Sequence, residues 1–167
     1  MKCFIIVAVT ADGCIAKNPT VPSTVWTGSE DKKRFVEITK RAGVVVMGQS
    51  TWKTIGKPLK NRLNIVYSPT PLEGAPPEVE ITSKSPADLL NDLEARGFKE
   101  VAICGGSQIY TMFMKSGLVN RLYLTVEPII FGSGIRLFNT DMDYRLTLVN
   151  SVQTESGALL LEYDVKS

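Results

Sequence analysis

The chain of 167 residues is long enough for one domain with a single core, and its hydrophobic fraction of 44% is that of a globular protein. Its net charge of +2 is too small for a basic nucleic-acid-binding face, and the absence of histidine excludes Ser-His and Cys-His catalysis and most catalytic zinc sites. Its three cysteines have neither CxxC spacing nor an even count, so we predict no disulfide framework and no metal site.

The first element in the chain is an apolar run over residues 2–9, which predicts a central strand because both of its faces are apolar. This run is too short for a signal peptide, and no segment approaches the length of a membrane span. We therefore expect a cytoplasmic protein that binds neither membranes nor nucleic acids. A turn over residues 10–13 and a loop over residues 14–25 are predicted next.

Residues 29–41 have the pattern of an amphipathic helix, with Ser29 as the predicted N-cap. Asp31 shares the apolar stripe of this helix with Phe35 and Ile38, which follow it by four and seven residues. Two interpretations remain open for Asp31. Its charge complements the helix dipole, or its carboxylate faces a ligand at the mouth of a site.

A strand, a helix and a second strand are predicted within residues 42–67. The apolar strand 44–47 ends at Gly48, the helix covers residues 49–55, and the next strand includes residues 63–67. A helix that starts after a buried strand offers free N–H groups that suit phosphates, although an ordinary strand–helix–strand crossover has the same pattern.

The remainder of the chain alternates strands and helices before ending in a hairpin. Strands are predicted at 79–82, near an edge, and at 100–104 and 121–127; helices are predicted at 86–96 and 108–114; a loop covers 128–138; and residues 144–152 and 158–165 form the hairpin. This order predicts a single α/β domain over residues 1–167, with three layers, a mostly parallel central sheet and an antiparallel C-terminal edge hairpin.

Four segments, taken together and in order, resemble the dihydrofolate reductase family over nearly the whole chain. They are MGQSTWKTIGKPLKNRLNIVYS at 47–68, the spacing Trp26-x4-Asp31-x3-Phe35-x3-Thr39, CGGSQIY at 104–110, and LYLT at 122–125. The resemblance implies the dihydrofolate reductase-like fold and NADPH-dependent reduction of 7,8-dihydrofolate to tetrahydrofolate, the reaction of an antifolate target in one-carbon metabolism.

The resemblance also implies roles for individual residues. Asp31 matches the carboxylate that binds the pterin, and Thr125 matches the hydroxyl that hydrogen bonds to both that carboxylate and the pterin. Trp26 matches the indole that holds an ordered water near the acid. Arg62 matches the guanidinium that binds the carboxylate of the glutamate tail. The implied substrate-binding residues are Val7, Ala8, Asp31, Phe35, Ile55, Leu59, Arg62, Cys104, Tyr110 and Thr125. The implied NADPH-binding residues are Ala8, Ile15, Gly48, Gln49, Ser50, Thr51, Ser68, Cys104, Gly105, Gly106, Ser107, Gln108, Ile109 and Tyr110.

Three residues depart from the family pattern. Gln49 and Gln108 stand where the family often has arginines that bind the adenosine 2′-phosphate, so NADH is an alternative cofactor. Ser50, Thr51 and Thr70 remain as phosphate ligands. Lys32 follows Asp31 where an apolar residue is usual, and we expect it to alter the edge of the pterin pocket and the binding of antifolates.

Other segments resemble the riboflavin-pathway pyrimidine reductases. They are SxxWTGSED at 23–31, PIIFGSGIRLF at 128–138 and SGALLLEYDV at 156–165. A reductase of a phosphoribosylamino-pyrimidine is therefore one alternative function, and a non-catalytic nucleotide-binding protein on the same fold is another. The expected partner is a small-molecule substrate. The oligomeric state stays open, and a homo-oligomer is suggested only by analogy with the pyrimidine reductases.

Overall fold

The computed structural model describes residues 1–166, which form ten strands and four α-helices. The strands are β1 (Lys2–Thr10), β2 (Cys14–Ala16), β3 (Val44–Gly48), β4 (Leu63–Tyr67), β5 (Val79–Thr82), β6 (Glu100–Ile103), β7 (Arg121–Glu127), β8 (Ile135–Arg136), β9 (Leu146–Gln153) and β10 (Leu159–Val165). The helices are α1 (Ser29–Ala42), α2 (Gln49–Ile55), α3 (Pro86–Ala95) and α4 (Ser107–Lys115).

Eight of the strands form one sheet in the order β5-β4-β3-β6-β1-β7-β10-β9. Neighbouring strands from β5 to β7 are parallel, whereas β10 is antiparallel to both β7 and β9. The predicted central position of β1, the edge position of β5 and the antiparallel C-terminal hairpin are confirmed. The carboxyl ends of all the parallel strands consequently lie along one edge of the sheet.

Helices cover both faces of the sheet, as predicted for three layers. On one face, Leu89 and Leu93 of α3 and Phe113 of α4 belong to the same buried cluster as Ile5 of β1. On the other face, α1 and α2 contribute Ile38 and Trp52 to a cluster with Phe4. Successive side chains of a strand point to opposite faces, which is why an uninterrupted apolar run in β1 serves both cores. No helix in residues 1–166 combines the length and apolar character required to cross a bilayer.

The start of α1 differs from the prediction. Gly28, not Ser29, is the N-cap residue, and its backbone is extended with φ −83° and ψ 174°. The Ser29 hydroxyl donates to the Glu30 carboxylate at 3.3 Å and caps no backbone group of the helix. A carboxylate from the far end of β7 accepts the Gly28 N–H instead, and a local sequence pattern cannot reveal such a distant partner.

The two predicted loops that flank the sheet edge pair with one another. β2 lies in the loop expected at 14–25 and pairs antiparallel with β8, which lies in the loop expected at 128–138. The Asp12 carboxylate, in the turn that precedes β2, binds the second loop by accepting the backbone N–H groups of Phe131 at 3.2 Å and Gly132 at 2.7 Å. These contacts fold both segments against the carboxyl end of β1.

Candidate active site

One large cleft opens at the carboxyl ends of the parallel strands, with a volume of about 1740 Å³. This exceeds the roughly 300–1,000 Å³ of a typical small-molecule pocket, so the cleft has room for two ligands side by side. All the site residues predicted from the sequence line it except Trp26 and Thr125: Val7, Ala8, Ile15, Asp31, Phe35, Gly48, Gln49, Ser50, Thr51, Ile55, Leu59, Arg62, Ser68, Cys104, Gly105, Gly106, Ser107, Gln108, Ile109 and Tyr110.

Asp31 is the half-buried carboxylate of the cleft wall, placed there by the first turn of α1, whereas Asp141, which also lines the cleft, is exposed. Burial is the main cause that raises its pKa above the ordinary value, and the like charge of Glu127 raises it further. A hydrogen bond from the Thr125 side chain and the positive charges of Arg34 and Lys32 act in the opposite direction. The result is a half-buried carboxyl group that exchanges its proton at higher pH than an exposed aspartate does.

Thr125 and Trp26 do not line the cleft. Thr125 is 1% exposed and is paired in register with Ala8 of β1, a residue that does line the cleft. Trp26 packs edge-on against Phe131, with the ring centres 5.4 Å apart. Its indole N–H is buried and meets no acceptor among the described residues. Thr125 therefore supports Asp31 from the protein side, whereas Trp26 packs against the loop that follows β7.

The cleft also carries a guanidinium that is held in place by neutral groups. Arg62 donates through Nη1 to the Thr39 hydroxyl at 2.9 Å and through Nε to the Lys60 carbonyl at 2.9 Å. The Thr39 hydroxyl in turn donates to the Phe35 carbonyl at 2.6 Å. Within residues 1–166, Arg62 forms an ion pair with no carboxylate. Leu59 and Phe35 are apolar residues that line the same cleft. Its charge is therefore available to an anionic ligand.

The glycine pair forms the bridge between β6 and α4. Gly105 accepts the N–H of Gly48 at 2.7 Å, and its φ of +116° favours glycine. A Cβ atom on Gly105 would meet the Tyr110 hydroxyl at 3.1 Å. That hydroxyl is already engaged, because it donates to the Ile6 carbonyl at 3.1 Å. The backbone is thus held open to a ligand at this point.

These features fit the phosphate groups of a nicotinamide dinucleotide. The backbone at Gly105 and Gly106 carries no side chain that blocks an approaching phosphate, and α4 begins directly after it. Ser107, in the first turn of α4, has a buried hydroxyl with no partner among residues 1–166. Unsatisfied buried polar groups of this kind are usual where a ligand completes the hydrogen bonding.

Sequence reasoning missed several polar residues of the cleft, and Thr70, like Trp26 and Thr125, lies outside it. Lys57, Lys84, Ser85 and Arg136 line the cleft, whereas Thr70 does not. The Thr70 backbone instead exchanges hydrogen bonds with the Ser68 hydroxyl, at 2.6 and 3.4 Å. The position of Lys84 just after β5 was a usable signal, since the carboxyl end of a parallel strand lies at the cleft edge. Residues 1–166 contain no group of three His, Cys, Asp or Glu side chains placed to hold a metal ion.

Comparison with known structures identifies the fold. A putative riboflavin biosynthesis protein from Shewanella sp. PV-4 superposes with a TM-score of 0.82 at 23% identity, and each chain is covered completely. A diaminohydroxyphosphoribosylaminopyrimidine deaminase/5-amino-6-(5-phosphoribosylamino)uracil reductase from Thermotoga maritima superposes with a TM-score of 0.78 at 19% identity, over 99% of this chain and 56% of the other. At such identities the likeness concerns the fold alone.

Sequence comparison adds the family. A dihydrofolate reductase from Schistosoma mansoni is 35% identical over 137 residues, which are 75% of this chain and 72% of the relative. The model of the family described as dihydrofolate reductase matches residues 2–143, a range that contains Asp31, Arg62 and the glycine pair. On this match, and with the cleft built from the residues that the resemblance named, the chain belongs to the dihydrofolate reductase family.

Proposed function

We propose that the chain reduces 7,8-dihydrofolate to 5,6,7,8-tetrahydrofolate with NADPH. The observation that carries the proposal is that one cleft contains two charged groups: the half-buried carboxylate of Asp31, and the guanidinium of Arg62, which has no carboxylate partner. Dihydrofolate has matching groups, because its pterin ring presents N–H donors and its glutamate tail presents carboxylates. Phe35 and Leu59 provide an apolar wall for the part of dihydrofolate that lies between the pterin ring and the glutamate tail.

Asp31 is the residue that orients the pterin and promotes its protonation. Its carboxylate accepts hydrogen bonds from the pterin and orients the ring, and its charge favours protonation of that ring. Thr125 supports the carboxylate from behind, since its buried side chain lowers the pKa of Asp31. A raised pKa suits this role, because a proton donor works best when its pKa approaches the working pH.

The cofactor half of the cleft consists of the glycine pair, Ser107 and the segment after β5. The backbone N–H groups around Gly106 and the Ser107 hydroxyl would hold the pyrophosphate, and Ser68 and Lys84 would face the adenosine end. When bound, the nicotinamide supplies the hydride; the protein positions the two flat rings and excludes water. Gln49 and Gln108 would contribute neutral donors only.

A second candidate function is reduction of a phosphoribosylamino-pyrimidine. The observation that favours it is the presence of Lys32 and Lys57 in the same cleft as Arg62. A substrate with a phosphate group would use this excess of positive charge, whereas the pterin does not need Lys32. The likeness in fold to the uracil reductase is compatible with either substrate.

The test is NADPH oxidation by the purified protein, followed separately with dihydrofolate and with 5-amino-6-(5-phosphoribosylamino)uracil. Asp31→Asn is the inactive variant, and Asp143→Asn, an exposed aspartate outside the cleft, is its matched control. We expect turnover with dihydrofolate that is lost in Asp31→Asn and kept in Asp143→Asn. Turnover of the pyrimidine alone would establish the second function, and turnover of neither would favour a non-catalytic nucleotide-binding protein.

A further inference from the structure

Arg34 is a half-buried cation of α1 whose positive charge acts on the Asp31 carboxyl group. It follows Asp31 by three residues on α1, so the two side chains share one side of the helix. Its guanidinium crosses to the sheet, where Nη2 donates to the Leu161 carbonyl at 2.7 Å and Nη1 to the Leu124 carbonyl at 3.1 Å. These two contacts attach the first half of α1 to β10 and β7.

The same guanidinium reaches the groups that support Asp31. Nη1 lies 3.5 Å from the Thr125 hydroxyl oxygen, and the central carbon Cζ lies 5.5 Å from the centre of the Tyr123 ring. A hydroxyl oxygen that accepts from Arg34 has its own proton free for another acceptor. Since the Thr125 side chain lowers the pKa of Asp31, Arg34 favours the rotamer in which the Thr125 proton is directed to the carboxylate.

The charges around Asp31 come from every element packed on it. Lys32 and Arg34 face it from α1, Glu127 from β7, and Glu162 of β10 lies near Arg34; Tyr110 of α4 is a neutral neighbour. Lys32 is exposed, and its charge is therefore largely screened by solvent. Glu162 is already paired with Arg121. Arg34 is thus the half-buried cation that opposes Glu127 and the burial of the carboxyl group.

We infer that Arg34 is a positioning residue for the reaction of Asp31: anchored on the backbone of β7 and β10, it orients the Thr125 hydroxyl and places a positive charge that opposes the effect of burial on the Asp31 carboxyl group. This inference rests on the proposed function in so far as Asp31 is the reacting carboxylate. If Arg34 only attached α1 to the sheet, its N–H donors would be sufficient and its positive charge would have no function. Arg34 forms no ion pair within 4 Å among residues 1–166, so no neighbouring carboxylate neutralises its charge.

The same helix offers a matched control. Arg41 also lies over the Tyr123 ring, at 5.9 Å, and it donates to the Tyr123 hydroxyl at 3.2 Å. Unlike Arg34, it is ion-paired, with Glu100 at 2.9 Å, and it contacts neither Thr125 nor the backbone of β10. Removal of Arg41 therefore changes the packing of α1 on β7 without changing the charge behind Asp31.

The experiment is a carboxyl titration of the ligand-free protein by ¹³C NMR, with aspartate labelled at its side-chain carboxyl and the Asp31 signal assigned through Asp31→Asn. The variants are Arg34→Met, Arg34→Gln, Arg34→Lys and Arg41→Met. In Arg34→Met and Arg34→Gln we expect about a tenfold rise in the ratio of protonated to ionised Asp31 at a fixed pH, the low end of what loss of a neighbouring cation produces. Arg34→Lys and Arg41→Met should titrate like the wild type.

A structural role alone would lower the melting temperature of the Arg34 variants and leave the Asp31 titration where it was, and this result would overturn the inference. Arg34→Gln keeps N–H donors for the carbonyls, so it remains informative if Arg34→Met does not fold. An equal shift in Arg41→Met would also overturn it. Because the titration needs no substrate, a failed dihydrofolate assay would count against the proposed function while leaving this result intact.

Discussion

Glu127, at the end of β7, accepts the backbone N–H of Gly28 at 2.9 Å across 99 residues of sequence. Gly28 is the N-cap of α1, and Asp31 lies in the first turn of that helix. The contact therefore fixes where α1 starts, and with it where the Asp31 carboxylate lies in the cleft. Glu127 is 4% exposed, so its charge acts on Asp31 with little screening by solvent.

The first prediction concerns Glu127. Glu127→Gln keeps an oxygen that accepts the Gly28 N–H but removes a like charge, so we expect the pKa of Asp31 to fall. Glu127→Ala removes the acceptor as well and should lower the free energy of unfolding by about 1–3 kcal/mol. Urea titrations of both variants and the pH profile of NADPH oxidation check this. Equal stability in the two variants would show that the Gly28 contact contributes nothing.

The second prediction concerns Asp31→Asn, which should lose most of its turnover with dihydrofolate near neutral pH and yet be more stable than the wild type. Burial raises the pKa of Asp31 above 3.8, so the folded state binds this proton more tightly than the unfolded chain. The stability that Asp31 contributes is complete below the unfolded pKa and is lost as pH rises through the folded pKa. In thermal melts, Asp31→Asn should therefore have a higher melting temperature than the wild type at pH 7, and this difference should vanish at about pH 3. A gain of the same size at both pH values would contradict the raised pKa.

The third prediction concerns Arg62. Loss of a charge-assisted hydrogen bond costs about 1.5–3 kcal/mol, so Arg62→Leu should raise the KM for dihydrofolate roughly 10- to 100-fold and leave the Kd for NADPH nearly unchanged. Lys60→Met is the control, because Lys60 is exposed and does not line the cleft. If the wild type uses a pterin without the glutamate tail as well as dihydrofolate, Arg62 does not recognise the tail.

The fourth prediction concerns the choice between NADPH and NADH. Gln49 and Gln108 supply no charge, and the Lys84 ammonium that lines the cleft is shared with Asp92 at 3.4 Å. We expect a modest preference for NADPH that widens in Gln49→Arg and narrows in Lys84→Met. The measurement is kcat/KM for both cofactors. A wild-type preference above about a thousandfold, or ~4 kcal/mol, would mean that other residues bind the 2′-phosphate.

The fifth prediction concerns Gly105→Ala. A Cβ there meets the Tyr110 hydroxyl at 3.1 Å and the Thr51 hydroxyl at 3.4 Å, in a backbone conformation with φ +116°. We expect a loss of both stability and NADPH affinity. Gly74→Ala is the control, since Gly74 also has a positive φ, +72°, but a Cβ there meets nothing within 4 Å. It should lose some stability and keep its NADPH affinity, as measured by fluorescence titration.

The sequence by itself determined the elements and many of the cleft residues. Apolar runs of four to eight residues bounded by glycine predicted β3 and β6, and the spacing of Asp31, Phe35 and Ile38 predicted the face of α1 that looks inward. These are local patterns, with periods set by the geometry of one helix or strand. The cleft edge followed from them, because parallel strands bring their carboxyl ends together.

Only the tertiary structure decided which groups surround the Asp31 carboxylate. The partners of α1 are Glu127, Thr125 and the Leu161 carbonyl, which lie from about 90 to nearly 130 residues further along the chain. No local period relates such positions, so the predicted N-cap at Ser29 was wrong and Arg34 gave no signal in the sequence. The pKa of Asp31 is set by burial and by these distant charges, and both exist only when β7 and β10 are packed beneath α1.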